Sequence, residues 1–206
     1  MARADRPHYT SDTILAEEES ILAWAIDAQA DEAVPSPTIL RAGLDVVQAE
    51  AAAAVAGADR LVLVVGPAGA GKTTMLARAV GDLASWQRPV FGVAPTAKAA
   101  RVLQDGTGAP TETVARLLHE WERPDRAPLE RYRLPLGTTL IVDEAGMVGT
   151  SSLHHLVELA DRQGWRVALV GDPHQLQAVG RGGLFAELCA TGRVHELAHL
   201  HRFTDA

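Results

Sequence analysis

The chain is poor in residues that crosslink, anchor or attract by bulk charge. Its 206 residues include one cysteine, Cys189, so no disulfide can form within it, and a reducing cytoplasm is the expected setting. No apolar run approaches the ~20 residues that span a bilayer, so no membrane span is expected. The first residues, Met1-Ala2-Arg3-Ala4-Asp5-Arg6-Pro7, lack the apolar stretch of a secretion signal. The formal net charge of −7 argues against a generally basic, histone-like DNA binder, though not against a local basic track.

Lysine is almost absent as well. There are 17 arginines and two lysines, Lys72 and Lys98. Both follow apolar runs, in loops containing glycine or threonine. A bias that replaced surface lysine with arginine accounts for the rest. Lysine persists where a compact ammonium on a flexible stem has a use. With 47% hydrophobic residues the chain can bury a substantial core, and its length suits one large domain or one domain with an appendage.

The densest pattern lies at residues 61–74, LVLVVGPAGAGKTT. An apolar, β-branched run predicts a buried strand of a parallel sheet. It leads into Gly66-Pro67-Ala68-Gly69-Ala70-Gly71-Lys72-Thr73, which fits G-x-x-x-x-G-K-[ST], the P-loop. Glycines let the loop curl so that backbone N–H groups face phosphate oxygens. The next helix turns its positive end to the same anion. Lys72 can reach the β- and γ-phosphates, the Thr73 hydroxyl can ligate magnesium, and Thr74 continues the cradle.

Apolar runs and helical patterns alternate along the chain. Thr10-Ser11-Asp12 offers a cap for a first helix, with Ile14, Leu15, Ile21, Leu22, Ala25 and Ile26 as its apolar stripe and an acidic face at residues 17–19. Val34-Pro35-Ser36-Pro37 reads as a linker. An alanine-rich helix at 44–56 carries Gln48, by itself an ordinary surface glutamine. Helices are also expected at 72–86, up to 104, from Thr111 to Trp121, at 151–163 and up to Cys189. Strands are expected at 61–65, 89–94, 138–142, 166–170 and 194–197. Gly106-Thr107-Gly108-Ala109-Pro110 reads as a loop, as does the Pro-, Arg- and Asp-rich 122–135, where Arg123, Arg126, Arg131 and Arg133 form a solvated charge run. Such alternation gives βαβ units and a mainly parallel sheet, with ligands at the carboxyl ends of its strands.

The polar residues that directly follow apolar runs are candidates for one crevice. Asp143, at the tip of 138–142, can hold Mg²⁺ beside Thr73. Glu144 can then orient and deprotonate an attacking water. Gln175, beyond the next strand, can donate and accept at once, as an ordered water or a γ-phosphate requires. Thr96 and Lys98 follow the strand between. Cys189, His195, His199 and His201 match no standard zinc spacing and read as structural or surface residues.

GPAGAGKTT, APTAKAA, VDEAGMV and GDPHQLQAVGRGG, in this order, resemble motifs I, Ia, II and III of superfamily 1 DNA helicases. The likeness is to the RecD-like branch and, within it, to the helicase part of TraA/TrwC-type conjugative relaxases. It implies an α/β fold: a RecA-like P-loop NTPase, with a mainly parallel sheet flanked by helices. An N-terminal helical extension and linker would occupy 1–40, and the ATPase domain (helicase domain 1A) 41–206. It implies ATP and Mg²⁺ as cofactors, with Lys72 and Thr73 on phosphates and metal, Asp143 as metal-coordinating acid, Glu144 as base and Gln175 as γ-phosphate sensor. Gln48 resembles the family's adenine-reading glutamine, Thr96 and Lys98 its single-stranded DNA contacts, and Arg202 an arginine that reaches the γ-phosphate.

Motors of this family pair two RecA-like domains, and this sequence carries the motifs of the first. The expectation is therefore one half of an ATP-dependent DNA helicase, moving 5′ to 3′, incomplete in isolation and working with a second RecA-like domain. The alternatives are a P-loop ATPase switch or nucleotide-gated DNA-binding module without unwinding activity, and a noncatalytic assembly fragment.

Overall fold

The computed structural model describes residues 12–30, 43–123, 125–173, 175 and 184–197. These form helices α1 (Asp12–Ala28), α2 (Val46–Ala56), α3 (Lys72–Ser85), α4 (Ala97–Thr107), α5 (Val114–Trp121), α6 (Thr150–Gln163) and α7 (Leu184–Thr191). The strands are β1 (Leu61–Val65), β2 (Val90–Ala94), β3 (Thr111–Thr113), β4 (Thr139–Val142), β5 (Arg166–Gly171) and β6 (Val194–Glu196).

Successive strand residues point to opposite sides of a sheet, and the apolar runs use both sides. Leu61 and Leu63 enter one core cluster, while Val62 and Val64 enter the other. Leu140, Val142, Val167 and Leu169 join the first; Ile141, Ala168 and Val170 join the second. A sheet apolar on both faces must be covered on both, which is why its strands read as continuous hydrophobic runs. α1, α5, α6 and α7 contribute to the first cluster, and α2, α3 and α4 to the second. The strands pair in parallel in the order β3-β2-β4-β5-β1-β6. This is the RecA-like arrangement of a P-loop NTPase. Because every strand runs the same way, the loops after β1, β2, β4 and β5 all leave one edge of the sheet.

The structure differs from the sequence reading at several points. The stretch read as a loop and helix cap before α5 contains a sixth strand, β3, and α4 continues through Gly106 to Thr107. β3 is short and half-buried, so it carries no apolar run to betray it. Its site is prepared by Gly92, opposite Thr111 in the register, where a side chain would collide with Thr111 Cγ2 and Leu103 Cδ2.

The stripe assigned to α1 is also revised: Ile21, Ala25 and Ala28 are buried, whereas Leu15 and Ile26 are exposed. α1 packs on α6 and α7. Trp24 Nε1 donates to Asp161 at 3.1 Å, and Arg60 bridges Asp27 and Asp161, each at 2.8 Å.

The region at 122–135 is not simply a solvated charge run. It folds a short 3₁₀ turn, Glu130–Tyr132, that buries Tyr132. Three of its arginines face acids: Arg123 and Arg126, with Arg116 of α5, converge on the fully buried Glu120, and Arg131 pairs with Glu112, while Arg133 donates to the Pro128 carbonyl. At the start of β5 the Arg166 guanidinium is buried and donates to the Asp59 carbonyl and the Thr139 hydroxyl. Burial, then nearby Arg88, pulls it down to about 10, against the opposing pull of Asp59.

Arg202, His199 and His201, the Thr10-Ser11 cap and the 34–37 linker lie outside the described residues.

Candidate nucleotide site

Backbone hydrogen bonds across neighbouring strand ends hold the P-loop at the sheet edge. Gly66 N donates to Gly171 O at 3.0 Å, and Leu197 N to Val65 O at 2.7 Å. The loop then turns on itself, with Ala70 N donating to Pro67 O at 3.1 Å. Gly71 enters α3 with φ +81°, a left-handed conformation that glycine adopts without penalty. Gly66 and Ala70 are buried beneath the loop, while Pro67, Ala68 and Gly69 are exposed at its crest. The Lys72 ammonium lies back over the loop, donating to Gly66 O at 2.7 Å and more weakly to Pro67 O at 3.4 Å. A phosphate arriving there would exchange a neutral acceptor for an anionic one, which makes a stronger hydrogen bond.

Gln48 is the main surprise of the site. It is 3% exposed, not a surface residue. Asp45 caps α2 through a hydrogen bond from Gln48 N (2.8 Å), and Gln48 Oε1 accepts from Asp45 N (3.2 Å), a reciprocal capping box. Its Nε2 reaches forward to Ala70 O at 3.1 Å. A Cβ at Gly71 would collide with Nε2, so glycine there serves both the turn and the close approach of the amide. The Asp-x-x-Gln spacing was the sequence signal for this burial; capping-box geometry aims the glutamine back towards the start of its helix. Gly43, which also lines the site, gave no such signal.

At the tip of β4, Asp143 N donates to Val93 O at 2.9 Å, and Glu144 N donates to Asp143 Oδ1 at 3.0 Å. Glu144 adopts φ +52°, ψ +42°, a left-handed conformation costly for a residue with a side chain, by about 1–3 kcal/mol. Such strain persists only where the surroundings enforce it. Here the turn Ala145–Met147 fits tightly against the β5 end: a Cβ on Gly146 would lie 2.9 Å from Asp172 O. Burial, then the neighbouring Glu144 charge, pushes the Asp143 carboxyl up to about 6; the Glu144 amide and Lys72 pull the other way. A half-buried acid held up in this way is suited to receive a cation.

These elements surround a cavity of about 740 Å³, within the range of small-molecule sites. Gln48, Lys72, Thr73, Thr74, Glu144 and Gln175 line it, with Gly43 and the loop residues Pro67, Ala68, Gly69 and Gly71. Gln175 N is tied to Asp172 O at 3.3 Å. Asp143, next to Glu144 in the chain, is not part of the cavity wall. Thr96 and Lys98 are exposed, away from that wall; Thr96 caps α4 by accepting from Ala99 N at 3.2 Å. Cys189 and His195 lie apart from the site, half-buried. Burial, with Glu196 adding, pushes the Cys189 thiol up to about 12, and burial lowers the His195 imidazole despite nearby acids.

Comparison with known proteins places this geometry in a family. Residues 43–206 match the AAA domain family. The chain is 39% identical over 150 residues to the conjugal transfer protein TraA of Rhizobium radiobacter, covering 72% of this chain and 13% of that protein. It is 38% identical over 176 residues to the ATP-dependent RecD2 DNA helicase of Deinococcus radiodurans, covering 84% of this chain and 23% of that protein. The chain therefore spans a small part of these relatives. A solved structure of two coordinating Pif1 helicases at forked double-stranded DNA shares the fold, with a TM-score of 0.56 at 21% identity over 79% of this chain and 45% of the other. The chain belongs to the AAA domain family.

Proposed function

We propose that this domain binds ATP with Mg²⁺ and hydrolyses it to drive movement along single-stranded DNA, 5′ to 3′, as part of a larger helicase. The observation that carries this is the single cavity in which Gln48, Lys72, Thr73, Glu144 and Gln175 meet. In this reading residues 41–206 form the ATPase unit, and α1 is a helical extension docked on it.

The roles follow from position and chemistry. Backbone N–H groups of residues 66–71 and the α3 N-terminus cradle the phosphates, and Lys72 turns from Gly66 O to the β- and γ-phosphates. Thr73 and Asp143 would hold Mg²⁺, which when bound neutralises charge between the β- and γ-phosphates. Glu144 takes the proton of the attacking water, and Gln175 positions that water or senses the γ-phosphate. Gln48 reads adenine. Thr96 and Lys98, at the same sheet edge, meet the DNA backbone with little base preference.

Arg202, by resemblance, reaches the γ-phosphate. A second RecA-like domain supplies the other wall of the cleft, including an arginine finger worth about 10³–10⁵ in rate. No helix among the described residues is long and apolar enough to cross a membrane, and a cytoplasmic location suits the single thiol.

The test is ATP hydrolysis by the domain within its full-length protein, with and without single-stranded DNA. Stimulation by DNA that is abolished by Lys72→Ala is expected. Hydrolysis indifferent to DNA would overturn the motor reading in favour of a nucleotide switch.

A further inference from the structure

Away from the nucleotide cavity, α1 and α6 face each other through polar groups as well as apolar ones. Glu17 of α1 and His154 and His155 of α6 each bring one potential ligand atom to within 4.8 Å of the others. Two atoms of this cluster are buried without a hydrogen-bond partner: Glu17 Oε2 and His154 Nδ1. Among the described residues these are the buried side-chain nitrogen and oxygen atoms left unsatisfied. Leaving such atoms unpaired is costly, and a bound ion or water is a standard reason for finding them.

Other contacts position the same three side chains. The other Glu17 oxygen, Oε1, accepts from Ser151 Oγ at 3.2 Å, which fixes the carboxylate. The far nitrogen of His154, Nε2, lies 3.7 Å from Glu158 Oε1, and His155 Nδ1 lies 3.3 Å from Glu122 Oε1. A carboxylate beside an imidazole orients the ring and raises its basicity as a ligand. The two rings are tilted at 50°, with centroids 5.8 Å apart, so they do not stack face to face.

We propose that Glu17, His154 and His155 form a binding site for a divalent transition-metal ion of the zinc class, which ties α1 to α6. Two imidazoles and one carboxylate are a ligand set suited to zinc, with water in a fourth position. Magnesium and calcium prefer oxygen donors throughout. Tetrahedral zinc with bonds near 2.0 Å holds its ligand atoms about 3.3 Å apart, so the site must close slightly on binding. The half-exposed His155 side chain has room to make that movement. The other end of α1 is already fastened by Trp24, Asp27, Arg60 and Asp161; the metal fastens the end nearer the N-terminus.

The experiment is calorimetric titration of the metal-free full chain with Zn²⁺, paired with thermal unfolding with and without Zn²⁺. The parent chain should take up zinc and unfold at a higher temperature with it. Glu17→Gln and His154→Ala should each weaken uptake by at least about tenfold and lose the thermal shift, while the exposed His119→Ala should behave as the parent does. Glu17→Gln is nearly isosteric and keeps the question open to test even if His154→Ala fails to fold. No zinc uptake by the parent, or equal uptake and equal thermal shift in the parent and Glu17→Gln, overturns the site. Displacement of the zinc by equimolar Mg²⁺ would overturn its assignment to the zinc class.

Discussion

Gln48 Nε2 donates to the carbonyl of Ala70 at 3.1 Å, tying the first turn of α2 to the floor of the P-loop. The same amide completes the cap of its own helix through Asp45 N. An adenine that used both ends of the amide would compete with these two partners, so base recognition and loop support are exchanged at one side chain. Gln48→Ala should therefore act twice. Leaving Ala70 O buried and unpaired should cost about 1–3 kcal/mol in stability, measurable by denaturant unfolding without nucleotide. It should also erase any preference for ATP over GTP in equilibrium binding. An unchanged preference would remove Gln48 as the base reader.

The Asp143 carboxyl gives a pH signature. Its folded value of about 6 lies above the ordinary carboxyl value of 3.8, so between these values the folded protein holds a proton that the unfolded chain has released. Stability therefore falls as pH rises through that window, and the penalty is complete above about pH 6. Its size is about 3 kcal/mol. In magnesium-free buffer Asp143→Asn should be the more stable protein at pH 7, and the advantage should shrink to nothing near pH 3. A constant difference across that range would contradict the assigned cause.

Glu144 combines strain with a proposed chemical role, and two substitutions separate them. Glu144→Gln should leave nucleotide affinity intact but slow turnover in the full-length motor by about 10²–10⁴-fold. Glu144→Gly should also lose turnover, yet relieve the left-handed backbone and resist unfolding better than Glu144→Gln. Single-turnover kinetics and thermal melts on the pair check both. Equal turnover by Glu144→Gln and the parent removes the base assignment.

Lys98 is exposed on the first turn of α4, where a phosphate contact would be sequence-independent. Lys98→Ala should weaken single-stranded DNA binding alike across sequences and reduce the slope of log affinity against log salt by about 0.7. Fluorescence anisotropy at several salt concentrations measures it. An unaltered slope would take Lys98 off the DNA track.

The same helix illustrates how differently the sequence spoke about neighbouring residues. Thr96 stood out as a polar residue following an apolar run, and the structure shows its hydroxyl capping α4. Yet the strand that follows this helix, β3, was invisible: three half-buried residues at a sheet edge carry little hydrophobic signal. Glu120 was equally hidden. It looked like one charge among many, and only the packing of α5 and the following loop makes it the fully buried partner of Arg116, Arg123 and Arg126.

By itself the sequence determined the P-loop, the positions of the main strands along the chain and their parallel class, because these depend on local spacing: an apolar run, a glycine pattern and a helix that follow one another directly. It also named Lys72, Thr73, Glu144 and Gln175 as candidates for one crevice. Only the tertiary structure decided that Gln48 is buried against Ala70, that Glu144 is held in a left-handed turn, and that Glu17 meets His154 and His155. Those relationships join residues from 22 to 138 positions apart or depend on the tight fit of adjacent strand ends. No local pattern encodes such distances; they are fixed when two helices or two strand tips pack together.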